Sequence, residues 1–568
     1  MKPDINLIDL TKNSRFSAKD SQILDSLEER ILHDYNIVTK CFIDQNSLKG
    51  KNLLISPACR NPYENDILDI LSKSALIEKK FSEHHPLDII FVDNFVLRDL
   101  LIQLQLHYPE YRNLQIKVKW ADWFEYMSSR INLTSIKLIK CIYLSFNQWF
   151  WIRFFKLKEL PTDPIVLIHN YILPNSIDEF GNYHDRYFTD YDNFFTSNEL
   201  KNHFISPTLF RFRHPSDFIN FWKKVGKTDK NFLFCESFLT FFDYVKCIYF
   251  AFKTPKKDFF YPVLRGIDLK LLFKESLNED IASMTLMTSF QRYIYISKLK
   301  KNNIPIKGAL FWYENMSIDR ALCLSIKKNY PAIEIKGYQA FFSPPYEAHK
   351  NPTDYERSLE TLPHAIGVIS SASLTQKKAL CPSQNFFLAP PFRFNYLHQD
   401  LKKTNIDTVD ILLALPMDIQ ESIELVQVFL GAKKNIDPSL KISIKHHPIH
   451  NTNKFIRHVP AFGDSFFHQR QEDLNSLLPR SNLLVTSASS VSLEALSMNI
   501  PVLIYGNSNG LTRNPIPNNF MNDYWKVFYT SRELHSHIEL FGSRDKKIRE
   551  NKLIHKVLEK EARTLFFC

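Results

Sequence analysis

Two separated stretches carry side chains that could hold one anion between them. KISIKHHPIH (441–450) delivers His446, His447 and Pro448, and TSASSVSLEAL (486–496) delivers Ser487, Ser489 and Ser490 ahead of Glu494. Imidazole and hydroxyl groups, joined by the unpaired N–H groups of a helix amino terminus, are donors suited to a phosphate. Serines at such a turn also serve simply as helix caps. His447 tips the balance toward phosphate, because it directly follows a strand pattern, unlike the other two His-Pro pairs, His85-Pro86 and His214-Pro215. The next candidate is Glu314, in ALFWYENMSIDRAL, again at the end of a strand pattern. A carboxylate there can act as a general base or a nucleophile, or can serve the nearby helix start through its dipole.

Strands and helices must position these groups. Ile442 and Ile444 alternate as a short strand does, Leu483 to Val485 make a second strand, Val491 to Ser497 a helix, and Pro501 to Tyr505 a third strand. That βαβ unit puts its serine turn where such sheets bind ligands. The series begins upstream with the strand ILLALP (411–416) and a helix over Ile419–Ala432. In the first half, strands are predicted at Leu53–Ser56, Asp88–Val92, Pro164–His169, Ala309–Tyr313 and Ile333–Lys336, the last ending in Gly337-Tyr338-Gln339. Helices are predicted over Glu64–Ala75, Leu97–His107 and Ile318–Lys328, the last capped by Ser317. A polar turn, NYHDRYFTDYDNFF (182–195), offers Asp185, Arg186 and Asp190 either as site residues or as a solvated loop. Alternating strands and helices predict an α/β chain of two doubly wound, Rossmann-type domains facing a cleft, with a helical insertion in the first. The expected boundaries are an amino-terminal extension over 1–48 with one helix near Ser21–His33, a first domain over 49–398, a second over 405–540 and a carboxyl-terminal helix over 541–568.

A net charge of +11 admits nucleic acid, an anionic membrane face or an anionic substrate as partner. No zinc-finger, RNP-type or basic-helix pattern accompanies the charge, so no nucleic acid is expected. Eight cysteines are scattered without a CxxC pair, as in a reduced cytoplasmic protein. The start, MKPDINLIDLTKNSRFS, lacks an apolar signal core, and no apolar run reaches the roughly 18–20 residues a membrane span needs. Cys141–Phe155, edged by Lys137, Lys140, Lys156 and Lys158, suits a core helix of an aromatic-rich protein or a helix lying at a lipid headgroup layer.

Taken together, KHHPIH, TSASSVSLEAL followed by NIPVLIYG, YENMSIDRALCLSIKK with IKGYQ, and the NYHDRYF turn resemble the GT-B glycosyltransferases of bacterial surface-carbohydrate (capsule and lipopolysaccharide) assembly. The likeness is to relatives of Kdo transferases and bacterial sialyltransferases, which carry His-Pro and paired-serine motifs, and it runs from about residue 50 to 540. It implies a CMP-linked sugar donor on the second domain, a glycan or glycolipid acceptor on the first, and peripheral contact with the inner membrane. By the same resemblance His447, Ser487, Ser489 and Ser490 contact the donor phosphate, Glu494 and Pro448 the ribose and base, Glu314 is catalytic with His447, and Asp185 and Gln339 lie toward the acceptor. No cofactor or metal is required in that scheme. The sequence departs from the relatives in having GYQA where they show Gln-His, and in lacking an acidic Asp/Glu-Asp/Glu-Gly motif. A CDP-polyol phosphotransferase of teichoic-acid type and a non-catalytic glycan-binding or assembly protein remain the alternatives.

Overall fold

The computed structural model describes residues 6–12, 14–155, 159–189, 191–254, 258–281, 283–394, 409–447, 459, 465–487, 489–516, 523–542 and 565, with the side chains of 121–135 outside that description. Pro448, Asp190, the junction between the two expected domains and nearly all of 541–568 lie outside the described residues.

A small parallel sheet opens the chain, with β2 (Ile89–Val92) between β1 (Leu7–Asp9) and β3 (Gln115–Val118). The first 48 residues supply β1 and two helices, Ala18–Ser26 and Glu28–Gln45, where the sequence predicts one helix. The strand expected at Leu53–Ser56 is absent, and the segment forms two 3₁₀ turns, Gly50–Leu54 and Ser56–Ala58. Its polar backbone groups find side-chain partners instead of a neighbouring strand. Ser56 N–H donates to Asp280 at 2.9 Å, and Arg320 donates to the carbonyls of Ala58 and Cys59 at 2.8 and 3.2 Å. The helix expected over Glu64–Ala75 runs from Ile67 to Ser82, and the next, Phe95–Leu106, is capped by Asn94, which accepts from Leu97 N–H at 2.7 Å.

The front sheet comes next. Its strands are β4 (Ile165–His169) and, past the short β5 (Tyr171–Ile172), β6 (His203–Ile205). After β7 (Thr208–Leu209), which pairs with β5, and the hairpin β8 (Val263–Leu264) and β9 (Ile267–Asp268), follow β10 (Ile306–Trp312), β11 (Glu334–Gln339), β12 (Ala365–Val368) and β13 (Asn385–Leu388). The six front strands are all parallel in the order β13-β12-β11-β10-β4-β6. Val166, Ile168, Leu310 and Trp312 enter one buried cluster and Ile165, Leu167, Ala309 and Phe311 another, so both faces of the sheet are covered. Gly337 permits one close approach within the sheet, since a Cβ there would lie 2.8 Å from Cγ of Tyr313.

The rear sheet is built from β14 (Val409–Ala414), β15 (Ile442–Lys445), β16 (His468–Gln469), β17 (Ser481–Thr486), β18 (Val502–Tyr505) and β19 (Trp525–Phe528), parallel in the order β16-β15-β14-β17-β18-β19. Counted along the chain this is 3-2-1-4-5-6, the dinucleotide-fold order, whose direction reverses between β14 and β17. The front sheet reverses between β4 and β10. One apolar cluster contains Ile168 and Trp312 of the front sheet together with Leu412, Leu484 and Ile504 of the rear. The fold is thus α/β and GT-B-like, two doubly wound sheets joined by a shared core. Its seam also takes in the amino terminus: Phe16 N–H donates to the Ser508 carbonyl at 2.7 Å, and Asp25 accepts from Thr512 N–H at 2.8 Å and Tyr529 OH at 2.6 Å.

Candidate functional site

At the carboxyl end of β10 the chain reaches Glu314 and turns at Asn315, whose φ of 57° is a left-handed conformation that Asn tolerates well. Asp319 reaches back to accept the N–H groups of Glu314 and Met316, both at 3.0 Å, and starts the helix Ser317–Asn329. Met316 therefore occupies the cap position expected of Ser317, whose hydroxyl goes instead to Glu64 at 3.3 Å. The helix start is also served by Asp319, so Glu314 is not needed for it. Burial pushes Asp319 up to about 8.

Glu314 is gripped from two sides. Trp312 Nε1–H donates to Oε1 at 2.8 Å, and Lys350 Nζ stands 3.2 Å from Oε2. Burial by itself would raise this carboxyl, but the Lys350 ammonium, the indole donor and Arg393 outweigh it and hold Glu314 below the usual carboxylate range. It is therefore a carboxylate held in its ionised form, and a weak proton acceptor. Gln339, at the end of β11, donates to the Lys350 carbonyl at 3.0 Å and so lies beside the same cluster. Asp185 does not join it through its oxygens. They are taken up by Asn170, directly after β4, at 2.9 Å and, inside their own loop, by Tyr183 at 3.2 Å and the N–H groups of Tyr187 and Phe188 at 2.7 and 3.0 Å, while burial pushes the carboxyl up.

From Lys350 a polar chain crosses to the rear sheet. Lys350 pairs with Glu347 at 3.1 Å, and Tyr63 OH donates to Glu347 at 2.9 Å. The guanidinium of Arg513 lies 5.9 Å from the Tyr63 ring centroid and 5.1 Å from that of Tyr346, within cation–π range. Its Nη1 stands 3.8 Å from Glu421 in the first turn of the helix Ile419–Ala432, and Ser487 donates to Glu421 at 2.9 Å. Burial raises Glu421, opposed by Arg513 and Ser487. The carboxyl ends of β10 and β17 therefore face one cleft, and the rear sheet's reversal point opens onto it.

Three residues before Tyr63, Arg60 enters a buried cluster. Glu356 takes Arg60 through two contacts, at 3.2 and 2.5 Å, and also accepts from Arg320, all three side chains being almost fully buried. The two guanidinium groups outweigh burial and hold Glu356 below its ordinary range.

On the rear sheet, β15 is followed directly by His446 and His447, with His446 Nδ1 3.0 Å from the His447 carbonyl. The serine turn follows β17, as expected. The two are not on neighbouring strands, however: β14 stands between them, which sets their strand ends roughly 10 Å apart. A single small anion between His447 and the serines therefore also meets the loop that leaves β14. Ser487 is committed to Glu421, and Ser489 accepts weakly from Val491 N–H at 3.4 Å, as a capping serine does. Ser490 precedes the seven-residue helix Val491–Ser497 with an exposed side chain that makes no capping bond, and Glu494 lies half-buried in that helix.

Lys350, Glu347, Tyr63, Tyr346, Arg513 and Glu421 were not singled out from sequence. Five of them come from irregular segments or the residues beside them, where no periodicity marks a residue as facing anything. The clue was PPYEAHK (344–350) itself, two charges and a tyrosine crowded just past a strand end. Among the described residues no group of three or more His, Cys, Asp or Glu side chains could hold a metal ion.

No family model and no curated protein matches this chain. Among solved structures, it is similar to a Staphylococcus aureus MnaA–UDP co-structure at 12% identity, with 67% of this chain and 89% of that one covered and a TM-score of 0.37. A UDP-GlcNAc 2-epimerase from Neisseria meningitidis bound to UDP-GlcNAc gives 11% identity, 71% and 97% coverage and a TM-score of 0.38. MurG of Acinetobacter baumannii gives 10%, 71% and 95%, and 0.32. Likeness this distant carries no conclusion about activity.

Proposed function

We propose that this chain is a nucleotide-sugar-dependent glycosyltransferase that moves a CMP-activated ulosonic acid such as Kdo onto a surface polysaccharide or lipopolysaccharide acceptor. The observation that carries the reading is the shared cleft: two doubly wound sheets turn their carboxyl ends toward each other, and charged residues run from Glu314 on one side to Glu421 and Ser487 on the other. Ligands of open α/β sheets bind in that position.

In this reading the rear sheet holds the donor. His447, Ser489 and Ser490 grip its phosphate, Arg513 supplies a fixed cation nearby, and Glu494 and Pro448 meet the ribose and base. The bond from the sugar's anomeric carbon to the phosphate oxygen breaks, its electron pair leaves with the phosphate, where negative charge gathers, and an acceptor hydroxyl oxygen bonds to the oxocarbenium-like centre left behind, its proton passing to the departing phosphate. Donors fixed where that charge develops are worth roughly 3–4 kcal/mol each, by analogy with oxyanion holes. Glu314, ionised and held by Lys350, faces the electron-poor carbon from the front sheet as a stabilising negative charge, with Gln339 beside it toward the acceptor. The scheme routes no step through a metal.

Thermal-shift titration with CMP, CDP, UDP and GDP tests the proposal. CMP is expected to raise the melting temperature and His447→Ala to remove that response. A response to UDP alone moves the protein to another donor class, and flat titrations with all four overturn the transferase reading.

A further inference from the structure

Two helices of the front half carry large apolar side chains on their outer as well as their inner faces. Along 136–154, at the end of the helix Trp120–Trp151 and the turn after it, Ser145, Asn147 and Gln148 are buried while Ile139, Phe146 and Phe154 are 67%, 47% and 64% exposed. The inward polar groups bond within the helix: Ser145 donates to the Cys141 carbonyl and Asn147 to the Tyr143 carbonyl, at 2.5 and 2.8 Å, and Asn147 accepts from Trp151 at 2.8 Å. The helix Phe241–Lys253 does the same: Tyr244, Cys247 and Phe250 are buried inside, while Phe242 and Tyr249 are exposed by 72% and 58%. A helix lying between protein and water turns a polar face outward instead.

The two apolar stripes form one surface. Ring centroids step from Phe154 to Phe150 at 4.8 Å, to Phe146 at 5.2 Å, to Trp149 at 6.1 Å, across to Phe241 at 5.3 Å and on to Phe242 at 6.1 Å. A contiguous aromatic face differs in kind from scattered exposed residues. Its charge has one sign. The sequence holds no Asp or Glu between Arg130 and Lys158, and the only carboxylate of the second helix, Asp243, is turned inward to Lys298 at 2.8 Å. Lys137, Lys140 and Arg153 edge the first stripe, and Lys246 and Lys253 the second.

We infer that this face docks on an anionic lipid bilayer, with its aromatic rings in the headgroup layer and its lysines against the lipid charges. A second copy of the chain fits poorly, because a self-complementary contact would set these cations against one another. The face lies on the membrane and does not cross it, since among the described residues no helix is long and apolar enough to span. Ile152, at its end, shares a buried cluster with Ile172 and Ile177 in the segment that leaves the carboxyl end of β4, so docking ties the bilayer to the cleft side of the front sheet.

Sedimentation of the full chain with vesicles of phosphatidylcholine, with and without phosphatidylglycerol, tests this inference. The protein is expected to pellet with the anionic vesicles and to be released by salt. Phe146→Ser with Phe242→Ser should weaken binding at least about tenfold, from the apolar area lost, while leaving circular dichroism and melting unchanged. Lys140→Glu with Lys246→Glu should remove the preference for anionic lipid. The nucleotide response of both variants should match the parent, which separates this inference from the donor proposal. Failure to pellet with any vesicle, or undiminished pelleting of the aromatic variant, overturns it, as does a dimer in solution that the aromatic variant dissociates.

Discussion

Glu314 shows how a local sequence argument can find a residue without reaching the groups that set its charge. Its place at the end of β10 was legible, because four consecutive apolar residues must stop where the sheet stops. Its ionisation depends on Trp312, two residues back on β10, and on Lys350 and Arg393, which the fold brings from elsewhere in the chain. Glu314→Gln is expected to abolish transfer while sparing donor affinity, as judged by turnover and calorimetry together; lost nucleotide affinity would remove Glu314 from the acceptor side. For His447→Ala and Ser489→Ala, the expected loss is on the order of 10²–10³ in turnover each, with an unchanged melting temperature. Undiminished turnover in both would end the phosphate assignment.

At the scale of elements, the paired guanidinium groups on Glu356 hold the turn at Ala58–Arg60 against the helix Ser317–Asn329. Glu356→Gln would leave two buried cations without their carboxylate and is expected to cost about 3–5 kcal/mol in chemical denaturation. The pH dependence follows from the sign of the shift. Glu356 and Glu314 both titrate below their ordinary value of 4.5 in the folded chain, so their stabilisation is fully present above that pH and is lost as the pH falls through their folded values. The stability gap between the parent and Glu356→Gln should therefore close in acid, and a gap constant from pH 7 to pH 3 would refute the ion-pair account. Neither arginine declares such a role in sequence. Arg60 lies in a turn and Arg320 on a helix, and only packing shows that both are inside.

For the molecule as a whole, the amino-terminal segment acts as a clasp. β1 belongs to the small front sheet, while Phe16 and Asp25 bond to the loop and strand ends of the rear half, so the two halves are joined by more than the connection near residue 400. Asp25→Ala leaves Thr512 N–H and Tyr529 OH without their acceptor and is expected to cost about 1–3 kcal/mol. Urea denaturation would measure it, and an unchanged midpoint would return residues 1–48 to the status of a loose extension.

By itself the sequence determined the α/β class, most of the buried parallel strands and the strand ends at Glu314, Gln339, His447 and the serine turn. Those features are written in local apolar runs and the polar residues that interrupt them, and both faces of a covered sheet demand such runs. The tertiary structure alone decided which strands are neighbours, that β14 separates the histidines from the serines, and that Tyr63 and Arg513 meet across the cleft. Strand order and contact between residues hundreds of positions apart are set by how whole faces pack, and no local pattern encodes that choice.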